Sequence, residues 1–252
     1  MPTPLPIFYA PPEDLSGDAV VLRGDEAHHA LRVLRLGIGD RLLVIDGLGA
    51  ARRGEIVEAG ARGATVTVRV RDTIRNFGEP AVRLTLAAGL SAGAKFDAVV
   101  QRGTELGVQR FVPILGEKSK VRMEDAGRAA ARVRRLEKVA LAAVKQCRRS
   151  YSPEIALPTG LESFLAYTDP EALNLVFHAA PGGKPLSAQA IPPGVSRVSL
   201  LVGPEAGFSE AEAGRAIAAG YAPISLGPRI LRSETAGPVV CALVMHALGE
   251  LS

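Results

Sequence analysis

The sequence predicts an α/β protein in two parts: a small N-terminal β-barrel over residues 1–73, then a larger domain over 81–252 with helices covering a mostly parallel sheet. Three observations predict this. The chain has 252 residues, 47% hydrophobic and 22% charged, enough to bury the core of one or two domains and to exclude disorder, collagen and coiled coil. Short strands fill the region up to residue 73. After Pro80, strands alternate with helices, the pattern of a parallel sheet between helical layers.

In chain order, Ala19–Leu22, Arg41–Ile45, Gly54–Val57 and Ala64–Val70 read as strands. The last alternates β-branched and polar residues with period two, as a half-buried strand does. Asp25 is expected to cap a short helix that runs through Leu34 and packs His29 beneath it. Ile74-Arg75-Asn76-Phe77-Gly78-Glu79-Pro80 is a polar, Gly/Pro-punctuated joint. Beyond it the expected elements are strand 83–90, helix 95–106, strand 111–115, helix 125–148, strands 173–178 and 198–202, helix 209–219, strand 223–226 and helix 234–249. With aromatics at 4% and no Trp, the core is built from Ala, Val, Leu and Ile.

Several functional classes drop out. No apolar run approaches the roughly 18 residues of a membrane span, and the N-terminus has neither a basic start nor an apolar stretch of the secretory kind, so a cytoplasmic protein without a membrane partner is expected. Cys147 and Cys241 form no disulfide framework. His28, His29, His178 and His246 lack metal-ligand spacing, so no metal is expected. Gly37-Ile38-Gly39 and Gly47-Leu48-Gly49 fail the dinucleotide pattern, Gly182-Gly183-Lys184 runs into Pro185 and makes no phosphate loop, and there is no G-x-S-x-G elbow.

Charge is concentrated. Thirty Lys and Arg against 26 Asp and Glu give +4. Residues 118–149 hold eleven basic side chains against Glu124, Asp125 and Glu137, a net +8 that leaves −4 for everything else. On a helical wheel, Ala126, Ala129, Ala130, Val133, Leu136, Ala140, Ala143, Val144 and Cys147 share one face. Arg132, Arg134, Arg135, Lys138, Lys145 and Arg149 lie opposite. A solvated face mixes Glu with Lys; this nearly pure cationic face reads equally well as a phosphate-binding surface.

Two C-terminal loops carry the remaining signal. Strand 198–202 runs into Gly203-Pro204-Glu205-Ala206-Gly207-Phe208, and Ser209 with Glu212 makes a capping box. Glycines between a strand end and a helix start let a ligand approach the backbone. A tight turn explains the glycines but not the carboxylate at its tip. The second loop, Gly227-Pro228-Arg229-Ile230-Leu231-Arg232-Ser233-Glu234-Thr235-Ala236, places two arginines and an acid before a long apolar helix.

Together, Leu201–Ser209 and Leu226–Ala236 resemble the signature loops of the RsmE family, the 16S rRNA uridine-N3 methyltransferases of the SPOUT superfamily. The resemblance covers the whole chain: His29-Ala30-Leu31-Arg32-Val33-Leu34-Arg35 matches an N-terminal motif, Thr104-Glu105-Leu106-Gly107-Val108 a helix end, and Gln146, Arg149 and Pro153 a further stretch. Lys145 stands where the family has Glu, Lys118 where it commonly has Arg, and Ala206 where it has a second Gly, which allows less backbone freedom.

The resemblance implies a SPOUT α/β trefoil-knot domain, a rare exception to the rule against threaded chains, preceded by a PUA-like RNA-binding barrel. It implies S-adenosylmethionine as cofactor, a homodimer, and the small ribosomal subunit and its 16S rRNA, rather than DNA, as partner. By matching position the cofactor would meet His178, Ala179, Ala180, Val202, Gly203, Pro204, Glu205, Gly207, Leu226, Gly227, Ile230, Leu231, Arg232, Thr235 and Ala236. The RNA would meet Arg32, Arg35, Lys118, Arg122, Arg128, Arg132, Arg135, Gln146 and Arg149. Methylating uracil N3 requires removal of its proton and stabilisation of the resulting anion. Glu205 and Glu234 are the candidate bases, and Arg232 and Arg229 are candidates for the cation or for phosphate contacts. Two other functions stay open: methylation of a ribose 2′-OH or a tRNA base on the same fold, and RNA binding in ribosome assembly without catalysis.

Overall fold

The computed structural model describes residues 4–60, 64–119, 121, 125–178 and 184–251. The chain divides into two compact units, Met1–Glu79 with Val144–Ser152, and Pro80–Ala143 with Pro153–Ser252.

The first unit is built on a six-stranded sheet: β1 (Ile7–Tyr9), β2 (Leu15–Ser16), β3 (Ala19–Arg23), β4 (Arg41–Ile45), β5 (Ala50–Ala59) and β6 (Thr65–Arg75), in the order β1-β4-β5-β6-β3-β2. Among the described strands of this unit, only the β1–β4 pair is parallel. In β6 the period-two pattern buries Val66 and Val68, which join Phe8, Val20, Leu22, Leu42, Val44 and Ile56 in one core. The strand expected at 54–57 is the middle of the longer β5, and β6 continues through Ile74 and Arg75, so those two residues are strand and the joint is shorter than expected. Left-handed Asn76 and Gly78, at φ 51° and 69°, then turn the chain. Asp25 is not a cap: α1 (Gly24–His28) starts from Arg23 without a side-chain cap, and Asp25 sits in its first turn. Residues His29–Val33 widen into a π-helix, where half-buried His29 meets the Phe8 ring edge-on at 5.8 Å between centroids.

The second unit comprises β7 (Arg83–Gly89), α2 (Lys95–Glu105), β8 (Val108–Leu115), most of α3 (Ala126–Cys147), β9 (Glu154–Ile155), β10 (Thr159–Gly160), α4 (Leu161–Leu165), β11 (Leu173–Phe177), β12 (Lys184–Pro185), β13 (Arg197–Val202), α5 (Glu210–Ala218), β14 (Ala222–Ser225) and α6 (Ser233–Ala247). Its strands pair in parallel in the order β10-β8-β7-β13-β11-β14-β12, with β9 also on β8. Both faces are buried, so central strands read as continuous apolar runs. Leu84, Leu86, Leu200 and Val202 pack with Phe96 and Val100 of α2 and Val240 and Val244 of α6. Ala87, Val112 and Leu201 pack on the other face with Leu161 of α4 and Ala216 of α5. The short β9, β10, β12 and α4 had no visible signal in the sequence. No helix among the described residues is long and apolar enough to cross a membrane, and no group of three metal-ligating side chains occurs among them.

Candidate functional site

Strand order reverses around β13, which sits between β7 and β11 although both precede it in the chain. Parallel sheets bind ligands beyond the carboxyl ends of strands at such points. Here β13 leads into the 203–208 loop and β14 into the 226–232 loop.

The first loop is braced from below. Ser209 Oγ accepts from the Glu212 amide at 3.1 Å and Glu212 Oε2 accepts from the Ser209 amide at 2.8 Å, completing the expected capping box. Glu212 is buried, and its Oε1 accepts from the Glu117 amide at 2.8 Å. Glu117 accepts in turn from Arg215 at 2.7 Å and Ser209 Oγ at 2.9 Å, which holds its carboxyl below the ordinary carboxylate value. From the side, β7 approaches closely: a Cβ on Gly89 would lie 2.2 Å from the Pro204 nitrogen, and one on Gly203 2.8 Å from the Phe208 nitrogen. Only glycine lets these backbones meet.

Between the loops lies a cavity of about 440 Å³. Of the expected cofactor residues, His178, Val202, Gly203, Pro204, Glu205 and Gly207 line it from one side, and Leu226, Gly227, Ile230, Leu231 and Ala236 from the other. Arg229 lines it too, as do Phe177, Ala206, Phe208 and Ser233, which were not anticipated. Ala179 and Ala180 lie outside the described residues. Thr235 does not line the cavity. Its amide bonds the Arg232 carbonyl at 2.9 Å in the first turn of α6.

Arg232 faces a neighbouring recess of about 240 Å³, lined by Lys95, Glu205, Ile230, Leu231, Arg232 and Glu234. Glu205, Ile230 and Leu231 border both spaces. Lys95, the first residue of α2, donates to Glu205 in a close ion pair, and this hydrogen bond holds its ammonium above the ordinary lysine value. Arg232 Nη1 stands 4.0 Å from Glu234 Oε1, with its side chain 83% exposed. Ser233 Oγ is shared with Ser91 Oγ at 2.8 Å and donates to Glu234 Oε2 at 3.3 Å, tying the segment after β7 to the start of α6. Lys95 and Ser91 escaped the sequence reading because they stand 110 and 142 residues from their partners Glu205 and Ser233.

The expected RNA residues are dispersed. Arg32 and Arg35 are exposed in the first unit, the latter at φ 56°. Lys118 is exposed beside Pro204 and Glu205. Arg132 and Arg135 line an open groove with Gly93 and Ala94. Arg135 is ion-paired with Asp97, and Arg128 lies 3.2 Å from Asp125. Arg122 is outside the described residues, and Gln146 is exposed. Arg149 is a correction: its side chain is 3% exposed and its Nη2 bonds Glu79 at 2.7 Å, so it presents no charge to a ligand. Lys145 is likewise spent on Glu26. Distant carboxylates thus neutralise part of a face that looked purely cationic from its own helix.

Comparison with known proteins agrees with this layout. Residues 78–245 match the model of an RNA methyltransferase domain and residues 22–69 that of an RNA methyltransferase PUA domain. The chain is 31% identical to the ribosomal RNA small subunit methyltransferase E of Synechocystis over 95% of its own length and 76% of the relative's. Among solved structures, the Neisseria gonorrhoeae ribosomal RNA small subunit methyltransferase E bound to S-adenosylmethionine is 29% identical, superposes with a TM-score of 0.83, and is matched over 96% of this chain and 98% of that one. A Legionella pneumophila methyltransferase in complex with the same cofactor is 27% identical, with a TM-score of 0.84 over 97% and 98% of the two chains.

Proposed function

Because this chain belongs to the ribosomal RNA small subunit methyltransferase E family of RNA methyltransferases, we propose that it methylates N3 of a uracil in 16S rRNA with S-adenosylmethionine as donor. The observation that carries the reading is the pairing of two spaces across Glu205: a mainly apolar cavity of about 440 Å³ and a charged recess of about 240 Å³.

The larger space fits the cofactor in size and chemistry. Leu226, Ile230, Leu231 and Phe208 offer apolar surface to a purine, and Arg229 offers positive charge to the carboxylate end. When bound, S-adenosylmethionine supplies a methyl group already activated by its sulfonium. The chain's own task is then alignment and handling of one proton. The recess holds the required kinds of group in Glu205 and Glu234 as carboxylates and Lys95 and Arg232 as cations.

Substrate grip is assigned to the PUA-like domain of residues 1–73 and the methyltransferase domain of 81–252, with Arg32, Arg35, Lys118, Arg128, Arg132 and Gln146 as phosphate or base contacts. The strand order, with β13 between β7 and β11 and α6 returning against β7 and β13, supports a knotted SPOUT domain. The reading includes a homodimer, to be checked by light scattering. Small subunits purified from a strain lacking the activity should gain N3-methyluridine on incubation with the protein, mapped by primer-extension stops and identified by nucleoside mass spectrometry. A ribose methyl instead would refute the assignment of the reacting atom.

A further inference from the structure

Two carboxylates border the recess, and their surroundings differ. Glu205 is engaged by the Lys95 ammonium in a close ion pair. Accepting a proton there would discharge the partner of a neighbouring cation. Glu234 has looser company, a hydroxyl at 3.3 Å and a guanidinium at 4.0 Å, with the Lys95 ammonium near enough to feel its charge but not hydrogen-bonded to it, and its side chain is 19% exposed. The two cations also differ. Arg232 is 83% exposed and Lys95 45%, so solvent screens Arg232 more, and among the described residues nothing comparable to Glu205 fixes its position. Lys95 is held by its carboxylate, and the positive charge it feels from Arg232 does not reverse the upward displacement of its proton affinity. It is charged at neutral pH.

We propose that Lys95 is a catalytic residue that stabilises the uracil anion, that Glu234 takes the N3 proton, and that Glu205 is a positioning residue that aligns Lys95. This rests on the methyltransferase reading above. A uracil in the recess gives its N3 proton to the Glu234 carboxylate, and the electron pair of the broken N–H bond delocalises toward O2 and O4, beside the Lys95 ammonium. The N3 pair then forms the bond to the methyl carbon as the carbon–sulfur bond breaks, its electrons leaving on sulfur as a neutral thioether. Glu234 returns the proton to solvent. No oxidant, reductant or metal enters this balance.

The test measures single-turnover methylation of small subunits across pH, with cofactor affinity by calorimetry and RNA affinity by filter binding. Lys95→Ala should lose about 10²- to 10³-fold in rate, as removal of an anion-stabilising donor does, with both affinities within about threefold of wild type, and added methylammonium should restore at least part of the rate. Glu234→Gln should lose about 10²- to 10⁴-fold and recover as pH approaches ionisation of the uracil in solution. Glu205→Gln should lose less and add little in the Lys95→Ala background, because it acts through Lys95, whereas Glu205→Asp should keep most activity. N3-methyluridine formed equally fast by wild type and Lys95→Ala overturns the role of Lys95 alone. Cofactor affinity falling in step with rate overturns it too, making Lys95 a cofactor contact. A Glu205→Gln defect as deep and as pH-recoverable as that of Glu234→Gln overturns the ranking of the two acids. A wild-type product other than N3-methyluridine overturns the functional reading itself.

Discussion

Outside the site, Arg149 is held in a buried ion pair with Glu79. Glu79 Oε2 accepts from its Nε at 3.1 Å and its Nη2 at 2.7 Å, while Glu79 Oε1 accepts from the Ser150 and Tyr151 amides at 2.9 and 2.8 Å. Removing one member of a buried pair strands the other charge, at about 3–5 kcal/mol. Arg149→Met and Glu79→Gln should each lower urea stability by about that much, and the double variant by clearly less than the sum. Additive losses would show that the pair is uncoupled. At Gly89 the neighbour of an added Cβ is Pro204 backbone, which has no rotamer to yield. Gly89→Ala should therefore displace the 203–208 loop and weaken S-adenosylmethionine binding about tenfold or more, equivalent to at least ~1.4 kcal/mol. Unchanged calorimetric affinity would show that this close approach does not shape the cavity.

Among the elements, the start of α5 carries a pH-sensitive brace. Glu117 is held by Arg215 and Ser209 with its carboxyl below the ordinary value, so it contributes stability above the unfolded-state value that is lost as pH falls through the lower folded one. Protection factors for hydrogen exchange at residues 116–119 and 209–212, taken relative to the intrinsic rate at each pH, should fall toward acid pH more than those of the sheet strands. Glu117→Gln should show the lowered protection already at neutral pH and lose its pH dependence. In α3, Arg134 and Lys138 are exposed and form no ion pair among the described residues, unlike Arg135. Changing both to Ala should reduce the slope of log affinity for RNA against log salt by about 0.7–0.9 for each phosphate that is no longer neutralised. An unchanged slope would return this face to plain solvation.

For the whole molecule, the two compact units do not follow sequence order. Leu136 and Ala140 of α3 belong to the core of the second unit, whereas Val144 packs with Leu43, Ile45 and Ala51 of the first. A fragment of residues 81–252 keeps every described residue that lines the cavity but deprives Val144 and Arg149 of their partners. It should bind S-adenosylmethionine within about tenfold of the full chain, unfold at lower temperature, and methylate small subunits poorly. Full turnover by the fragment would show that residues 1–80 are dispensable for the reaction.

Local pattern was enough for what depends on neighbours in the chain. Period two located β6 and the helical wheel α3, while β4, β7 and β13 were readable as short apolar runs, because burial on one face imposes a repeat and burial on both imposes continuity on each element separately. The capping box was readable since Ser209 and Glu212 are three residues apart. Both glycine loops announced a site by composition, and the family resemblance supplied the chemistry. Pairing across the fold was not readable. Lys95 beside Glu205, Ser91 on Ser233, Asp97 against Arg135 and Glu79 on Arg149 join residues 38 to 142 positions apart. Whether a cation is free to meet a ligand or is half of an ion pair depends on which carboxylate the sheet order brings within about 4 Å, since at that range one opposite charge outweighs more distant ones. Sequence alone thus determined the class of the fold and pointed to the two loops that line the cavity. Only the tertiary structure decided which charges remain available in the recess, because strand order and helix packing, not spacing along the chain, set those distances.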